Sequence, residues 1–441
     1  MMGSEYLPLL MFPAMLVSLF AGYPVAFSLM GIALLFGGIG FQWSILPMLI
    51  RRVYSVADNY VLAAVPLFIF MGTVLERSGI AGKLFDAISL WTGRLRGGLA
   101  IATVLMCTII AACTGIIGAS EVMVGVMVIP VMLKRKYQHA LICGTICAGG
   151  SLGTLIPPSV VTVVYGPAAG LSVGRLLIAS IFPGLLLSLL YVIYIAVRSY
   201  LNPSLAPSIP ADELKIPFGR KLYITATALI PPVFLILAVM GSIVLGLAAP
   251  TEAAALGAFG AMILTAAYGQ LSMKALKETV IQTLKISSMM MMILAGGYMF
   301  SGVFLGIGGG DITEKILMGL PFGRIGILVL FLFIAFASGF VLDWASILLI
   351  FIPIFSPIVT KLGFDPIWFG ILFIMMIQTS YLSPPMAPAI FYLKSIVPPE
   401  VTMREMFHGV VPYLMLQLAG ITLVALFPQI ALWLPSKLIG W

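Results

Sequence analysis

No stretch of this chain stays polar for long enough to build a soluble domain. Apolar spans run near 6–41, 60–76, 97–133, 138–197, 222–268, 286–308, 325–360, 366–397 and 407–434, and several exceed the about twenty residues of one helical crossing of a bilayer. Helices and closed barrels both satisfy their backbone in lipid, but these runs lack the two-residue alternation of a barrel strand. The spacing predicts an all-α, polytopic membrane protein with on the order of a dozen membrane segments, some of them incomplete crossings. Composition agrees: 61% hydrophobic and 9% charged residues lie far from the usage of soluble domains, so residues 1–441 read as a single membrane-embedded body.

The opening "YLPLLMFPAMLVSLFAGYPVAFSLMGIALLFGGIGF" is too long for a signal-peptide core and lacks a basic leader, so it reads as retained helices. Lys and Arg outnumber Asp and Glu by 23 to 15. The excess sits in short loops, Arg51-Arg52, Lys134-Arg135-Lys136 and Lys215 with Arg220-Lys221, which marks cytoplasmic edges rather than a nucleic-acid surface. Cys107, Cys113, Cys143 and Cys147 lie in apolar runs and read as small core thiols, with no disulfide framework. "GIGGGD" (Gly306 to Asp311) follows no strand and lacks a Lys-Ser/Thr pair, which excludes a nucleotide loop. Met289 to Met292 form an unbroken row that reads as core or lipid-facing packing, with a flexible lining as the alternative.

The polar, proline-rich stretch from Arg198 to Tyr223 divides the chain, and the two parts repeat an order of landmarks. In the first, Thr114-Gly115, then Gly118, Ala119 and Ser120, precede Ile129-Pro130, a basic loop, "CGTICAGGSLGTLIPPS", and Arg175 eight residues before Pro183. In the second, Ser338-Gly339, then Asp343 and Ser346, precede Ile352-Pro353, a Lys361 loop, "FGILFIMMIQTSYLSPPMAP", and Arg404 eight residues before Pro412. Pro157-Pro158 aligns with Pro384-Pro385, Gly153-Thr154 with Ser380-Tyr381, and Ser120 with Asp343. We read approximate repeats at 60–197 and 286–434, joined by helices and loop at 198–285, in the inverted arrangement common among secondary transporters.

A proline pair inside an apolar span removes two N–H donors and turns the preceding residue away from the helix. In hydrocarbon the freed groups cost several kcal/mol each unless they are buried or line a wet cavity. Ser151, Thr154 and Ser159 flank one break; Gln378, Thr379, Ser380 and Ser383 flank the other. Oxygen ligands of this kind suit sodium, and exposed helix N-termini suit an anion. The proposed sodium ligands are Ser120, Thr154, Asp343, Thr379 and Ser380. The proposed lining of the substrate site is Gly118, Ala119, Gly153, Pro157, Pro158, Ser346, Ser383, Pro384 and Pro385.

Asp343 stands out as an ionisable group amid apolar sequence, although "DWAS" also permits a helix N-cap. Glu121 reads as an interfacial, structural residue. Glu252 follows Pro250-Thr251 as the early carboxylate of a helix start whose small-residue face packs on a neighbour. Lys394 and Arg175 follow the broken segments and could attract an anion, but read by default as snorkelling to the interface.

"TGIIGASEVMVGVMVIPVMLKRKY", "GTICAGGSLGTLIPPS", "APTEAAALGAFGA" and "QTSYLSPPMAPAIFYLK" resemble the large membrane subunit of tripartite ATP-independent periplasmic (TRAP) transporters, DctM-like, over nearly the whole chain. The resemblance is closest to the branch labelled for mannitol, chloroaromatic or 2-oxo acid compounds. It implies an elevator-type transporter in the bacterial inner membrane, in which two re-entrant helical hairpins carry an organic acid anion and sodium past a scaffold. The hairpins would centre on Gly118-Ala119-Ser120 and on the Asp343 region, with Thr154 to Pro158 and Thr379 to Pro385 unwound beside the site. The resemblance also implies a periplasmic substrate-binding protein and a small four-helix membrane subunit. The latter is expected as a separate partner, because the chain begins directly in the large-subunit pattern. Many relatives have Phe-Gly after the second proline pair where this chain has Met386-Ala387 and then Pro388, a departure that bears on substrate choice. No cofactor is expected beyond sodium as the coupling ion.

Two other readings compete. One is a hairpin-type, ion-coupled anion carrier without a binding protein. The other is an intramembrane hydrolase using Ser151 in "GGSLG"; it needs a base, and the two histidines, His139 and His408, lie at loop edges. The expectation is therefore a transporter and not an enzyme.

Overall fold

Helices are forced on this chain by the need to satisfy its backbone away from water, and their ends fall where glycine and proline interrupt the apolar runs. The computed structural model describes residues 6–115, 117–210, 216–384 and 387–438, with the side chains of Ile117 and Ala119 outside that description. Among the described residues there is no β-strand. Helices α1 (Met11–Phe20), α2 (Val25–Phe41) and α3 (Ile45–Ala57) open the chain, followed by α4 (Ala64–Arg77) and α5 (Ile80–Thr92).

Five helices follow: α6 (Gly98–Thr114), α7 (Ile117–Lys134), α8 (His139–Ser151), α9 (Val160–Ala169) and the long α10 (Val173–Leu201). The middle holds α11 (Phe218–Val244), α12 (Pro250–Ala267), α13 (Met273–Gly306) and α14 (Gly309–Met318). Then come α15 (Gly323–Ser338), α16 (Trp344–Lys361), α17 (Pro366–Leu382), α18 (Pro388–Lys394), α19 (Met403–Leu426) and α20 (Gln429–Leu438).

Among the described residues eight helical stretches are long and apolar enough to cross a membrane, and five shorter apolar helices accompany them, in keeping with about a dozen segments of which some are incomplete. The short ones have a physical cause. The breaks cut the longest apolar runs into pieces such as Gly98–Thr114, Val160–Ala169 and Pro366–Leu382, each shorter than that threshold. The start of α12 agrees with its sequence: Pro250 opens the helix, and Glu252 accepts the Ala249 N–H at 2.8 Å. Its small face packs on α4, where a methyl group on Gly257 would reach Met71. The Gly306–Asp311 turn joins α13 to α14 through Gly308 at φ 88°.

Helices α8 and α17 form the centre: Leu141 to Ser151 and Ile367 to Ser380 are buried without interruption. A helix that is apolar all round must be covered all round, and α8 is covered by α19, α7 and α6, and α17 by α19, α15 and α10. Close approach of α8 to α19 depends on two glycines, because a Cβ on Gly144 would strike the Gly409 carbonyl and one on Gly409 the Ala140 carbonyl. Farther out, Ile230, Phe234 and Leu237 of α11 present an apolar outer face, as a lipid-contacting helix does. The four cysteines are free and buried.

Candidate functional site

Four interruptions converge between the two halves of the chain. At the first, α6 ends on Thr114, and Gly115 turns the backbone left-handed at φ 60° before α7 begins. A side chain there would be strained and would also stand 3.0 Å from the Pro158 carbonyl oxygen. The α6–α7 turn therefore rests on the first proline pair. Gly72 of α4 lies against the same turn, its hypothetical Cβ 2.7 Å from the Thr114 carbonyl oxygen. Across the turn the Thr114 and Ser120 hydroxyls pair at 2.9 Å.

The first proline break is closed on itself. After α8 the chain makes a 3-10 turn over Leu152–Thr154, and the Pro157-Pro158 bond is cis. Pro158 cannot donate to the Thr154 carbonyl as a helical residue would; the Ser159 hydroxyl donates to it instead, at 2.5 Å. The Thr154 hydroxyl in turn donates to the Ser151 carbonyl at 2.8 Å. Gly153, Thr154, Pro157 and Pro158 are all buried.

At the second proline break α17 ends in a tightened turn, because the Ser383 N–H bonds Ser380 rather than Thr379. The Thr379 carbonyl left over accepts the Ser383 hydroxyl at 2.8 Å, and the Thr379 hydroxyl donates to Met375 at 2.8 Å. Pro384 is exposed, and Pro385 lies outside the described residues. The two breaks are tied together: the Gln378 amide donates to the Ser151 hydroxyl at 3.2 Å, and Gln417 of α19 does so at 3.3 Å.

The α15–α16 turn completes the set. Gly339 lies directly against the Ser380 side chain, and Asp343 is the N-cap of α16. It accepts the Ala345 N–H at 3.0 Å and the Ser346 hydroxyl at 2.5 Å. Between the four interruptions, α4 and α13 lies a cavity of about 790 Å³, within the range of small-molecule sites. Gly115, Gly118, Gly339, Asp343 and Ser380 line it, with Trp344, Tyr381 and Tyr392 as its aromatic wall. Of the residues singled out from sequence, Gly118, Asp343 and Ser380 reach this cavity. Ser120, Gly153, Thr154, Pro157, Pro158, Ser346, Thr379 and Ser383 are buried but not among its lining residues, and Ala119 has no described side chain. Asp343 is thus the N-cap that its sequence permitted, and its position on the cavity wall is where a coupling role would place it.

Sequence reasoning passed over Glu76 of α4, Gln282 of α13 and Tyr392, which line the cavity or its edge, the Tyr392 ring 6.5 Å from that of Tyr381. Met289 and Met290 of α13, read as packing with a flexible lining as the alternative, also line it. Glu121, read as interfacial, is fully buried, with no hydrogen-bond partner on either oxygen among the described residues and its stem against Gly150. Gly150 of α8, which faces it, was the available signal. Ser151 has no base: His139 pairs with Glu405 at 3.1 Å, and His408 bonds the Arg404 carbonyl at 2.8 Å.

Residues 12–430 match the family described as tripartite ATP-independent periplasmic transporter, DctM component. Over 398 residues the chain is 31% identical to the C4-dicarboxylate TRAP transporter large permease protein DctM of Pseudomonas aeruginosa, covering 88% of this chain and 89% of that one. It is 28% identical to the ectoine/5-hydroxyectoine TRAP transporter large permease protein UehC of Ruegeria pomeroyi, covering 96% and 97%. Among solved structures, the Alcanivorax borkumensis YdaH transporter is similar with a TM-score of 0.63 at 16% identity, over 98% of this chain and 99% of that one; this is a likeness of fold alone. Members of the matched family work with a small membrane subunit and a periplasmic binding protein. With a family match that spans nearly its whole length and a helical fold cut by paired breaks, this chain belongs to the DctM family of TRAP transporter large permeases, multi-pass proteins of the bacterial inner membrane and not enzymes.

Proposed function

We propose that the chain imports an organic acid anion together with sodium, taking the acid from a periplasmic binding protein and carrying it by an elevator movement. The observation that carries the sodium coupling is the charge of the cavity: Asp343 lines it, and among the described residues no Lys or Arg does. An anion entering such a site alone meets like charge in a setting of low dielectric. A cation held at Asp343 removes that barrier, so cation and anion enter together.

The residues fit a hard monovalent cation, since the donors at hand are oxygens and not thiols or imidazoles. Asp343 and Ser380 share the cavity wall. Ser120, Thr154 and Thr379 would contribute through the turns they stabilise or through neighbouring carbonyls, their hydroxyls being paired with Thr114, Ser151 and Met375.

The repeats, at about 60–197 and 286–434, rest on the shared order of landmarks, with contacts that cross between the halves as well as within the second. Aligning the halves equates α8 with α17 and α10 with α19, and α8 packs on α19 while α17 packs on α10. The moving body would comprise the helices of these breaks, with α4 and α11–α13 among its surroundings.

The test is uptake into proteoliposomes containing both membrane subunits, with the binding protein outside. An inward sodium gradient should drive accumulation. Uptake undiminished without sodium overturns the coupling, and uptake independent of the binding protein favours a carrier of another class.

A further inference from the structure

The part of the cavity wall that would travel with the moving body is poor in hydrogen-bond donors. Val160 and Val161 of α9, Leu342 of the α15–α16 turn and Ile377 of α17 make it aliphatic, and Trp344, Tyr381 and Tyr392 make it aromatic. Among the described residues no Lys, Arg or His lines the cavity. The Ser380 hydroxyl donates to the Ile377 carbonyl at 2.7 Å, and the Asp343 carboxylate accepts from Ala345 and Ser346. Both therefore offer oxygen to a cation and no proton to an anion. The side-chain donors that remain on this wall are the Trp344 indole N–H and the Tyr381 and Tyr392 hydroxyls.

Three donors can serve the two oxygens of one carboxylate. A second carboxylate would find no further cation, since the sodium at Asp343 is already matched, and the hydroxyls of a polyhydroxy acid would face valine and isoleucine side chains. A polar group buried without a partner is costly, whereas methylene and ring carbons gain by leaving water.

We infer that the transported acid is a monocarboxylate with an apolar body, and that the site discriminates against dicarboxylates and polyhydroxy acids. This rests on the transport reading above and narrows its substrate class. Trp344 is the specificity-determining residue. It follows Asp343 directly as the first residue of α16, so the turn that presents the carboxylate for sodium also presents the largest apolar face, against which the body of the acid packs.

The test uses the purified complex of large and small subunits, in sodium, with binding read by calorimetry. Hexanoate, adipate and gluconate share a six-carbon chain and differ in a second carboxylate or in hydroxyls; benzoate and terephthalate make the same comparison on a ring. The wild type should bind hexanoate about tenfold more tightly than adipate or gluconate, and benzoate about tenfold more tightly than terephthalate. Trp344→Ala should weaken benzoate and hexanoate about tenfold and shrink both preferences, while Trp344→Phe should keep their order. The order of the five probes on the wild type stands on its own should the Ala variant not fold.

Adipate, gluconate or terephthalate bound as tightly as its apolar counterpart, or more tightly, overturns the inference and leaves organic-acid transport standing. Equal weakening of all five probes by Trp344→Ala overturns the assignment of Trp344, which would then support the site without choosing its ligand. Binding of no carboxylic acid at all overturns the organic-acid reading itself, and the inference with it.

Discussion

The two proline-ended breaks occupy matching places in the sequence and meet different surroundings. The first, from Ser151 to Ser159, is buried throughout, and its hydroxyls are used internally: Thr154 on Ser151, Ser159 on Thr154. The second uses the same device, Ser383 on Thr379, but turns Ser380 and Tyr381 toward the cavity beside Asp343 and leaves Pro384 exposed. A freed carbonyl needs a donor in either place. Only in the second does the chain also offer polar groups to a ligand. The first break thus acts as a fixed seat on which the α6–α7 turn rests, and the second as the chemical face.

The largest effect should come from the charged group on the chemical face. Asp343→Asn keeps an N-cap of equal quality and removes only the negative charge. Sodium-driven uptake should fall by about 10–100-fold, the equivalent of one charged hydrogen-bonded contact of about 1.5–3 kcal/mol, while the melting temperature of the complex stays near that of wild type. A variant that transports normally with unaltered sodium activation would remove Asp343 from the ion site. Thr154→Ala, on the buried break, should leave the sodium dependence in place, because its hydroxyl is committed to the Ser151 carbonyl.

Next in size is the contrast between the two serines that satisfy freed carbonyls. Ser159→Ala strands the Thr154 carbonyl in a fully buried break and should destabilise the protein by about 1–3 kcal/mol. Ser383→Ala strands the Thr379 carbonyl in a break whose Thr379 and Ser383 are buried but whose next residue, Pro384, is exposed, and should cost about 1 kcal/mol if water enters from the Pro384 end. Thermal unfolding of the two variants in one detergent decides the matter; equal shifts would mean that the breaks are equally closed.

Much of this arrangement was legible in the residues. The order of landmarks, the proline pairs and the lone aspartate located all four interruptions, because proline and glycine act on their own backbone and need no tertiary context to do so. The start of α12 at Pro250 was legible for the same reason. What the sequence could not reveal depends on helices distant in the chain. Thr154 and Thr379 look like free ligands until their hydroxyls are seen on carbonyls three and four residues back. Glu76 draws no notice in the sequence, at the end of the 60–76 span, yet lines the cavity with residues of α13 and α16. Glu121 looks interfacial beside its turn and is interior, because Gly150 of α8 leaves room for its stem.

The smallest effect should come from the contact that joins the two breaks. Ser151→Ala removes the hydroxyl that accepts from both Gln378 and Gln417. Interhelical hydrogen bonds in membrane proteins average only about 0.6 kcal/mol, since the partners find substitutes. Gln417 keeps its bond to the Tyr191 hydroxyl at 2.9 Å, whereas Gln378 has no second donor bond among the described residues. A drop of about 0.6 kcal/mol or slightly more is therefore expected in unfolding, with sodium-driven uptake retained. The same variant bears on the comparison of the breaks. If the first is a seat and the second the chemical face, loosening the tie should affect stability and leave the sodium requirement alone. A Ser151→Ala protein that keeps its stability but changes its sodium dependence would show that the buried break takes part in binding, and would undo the division of roles between them.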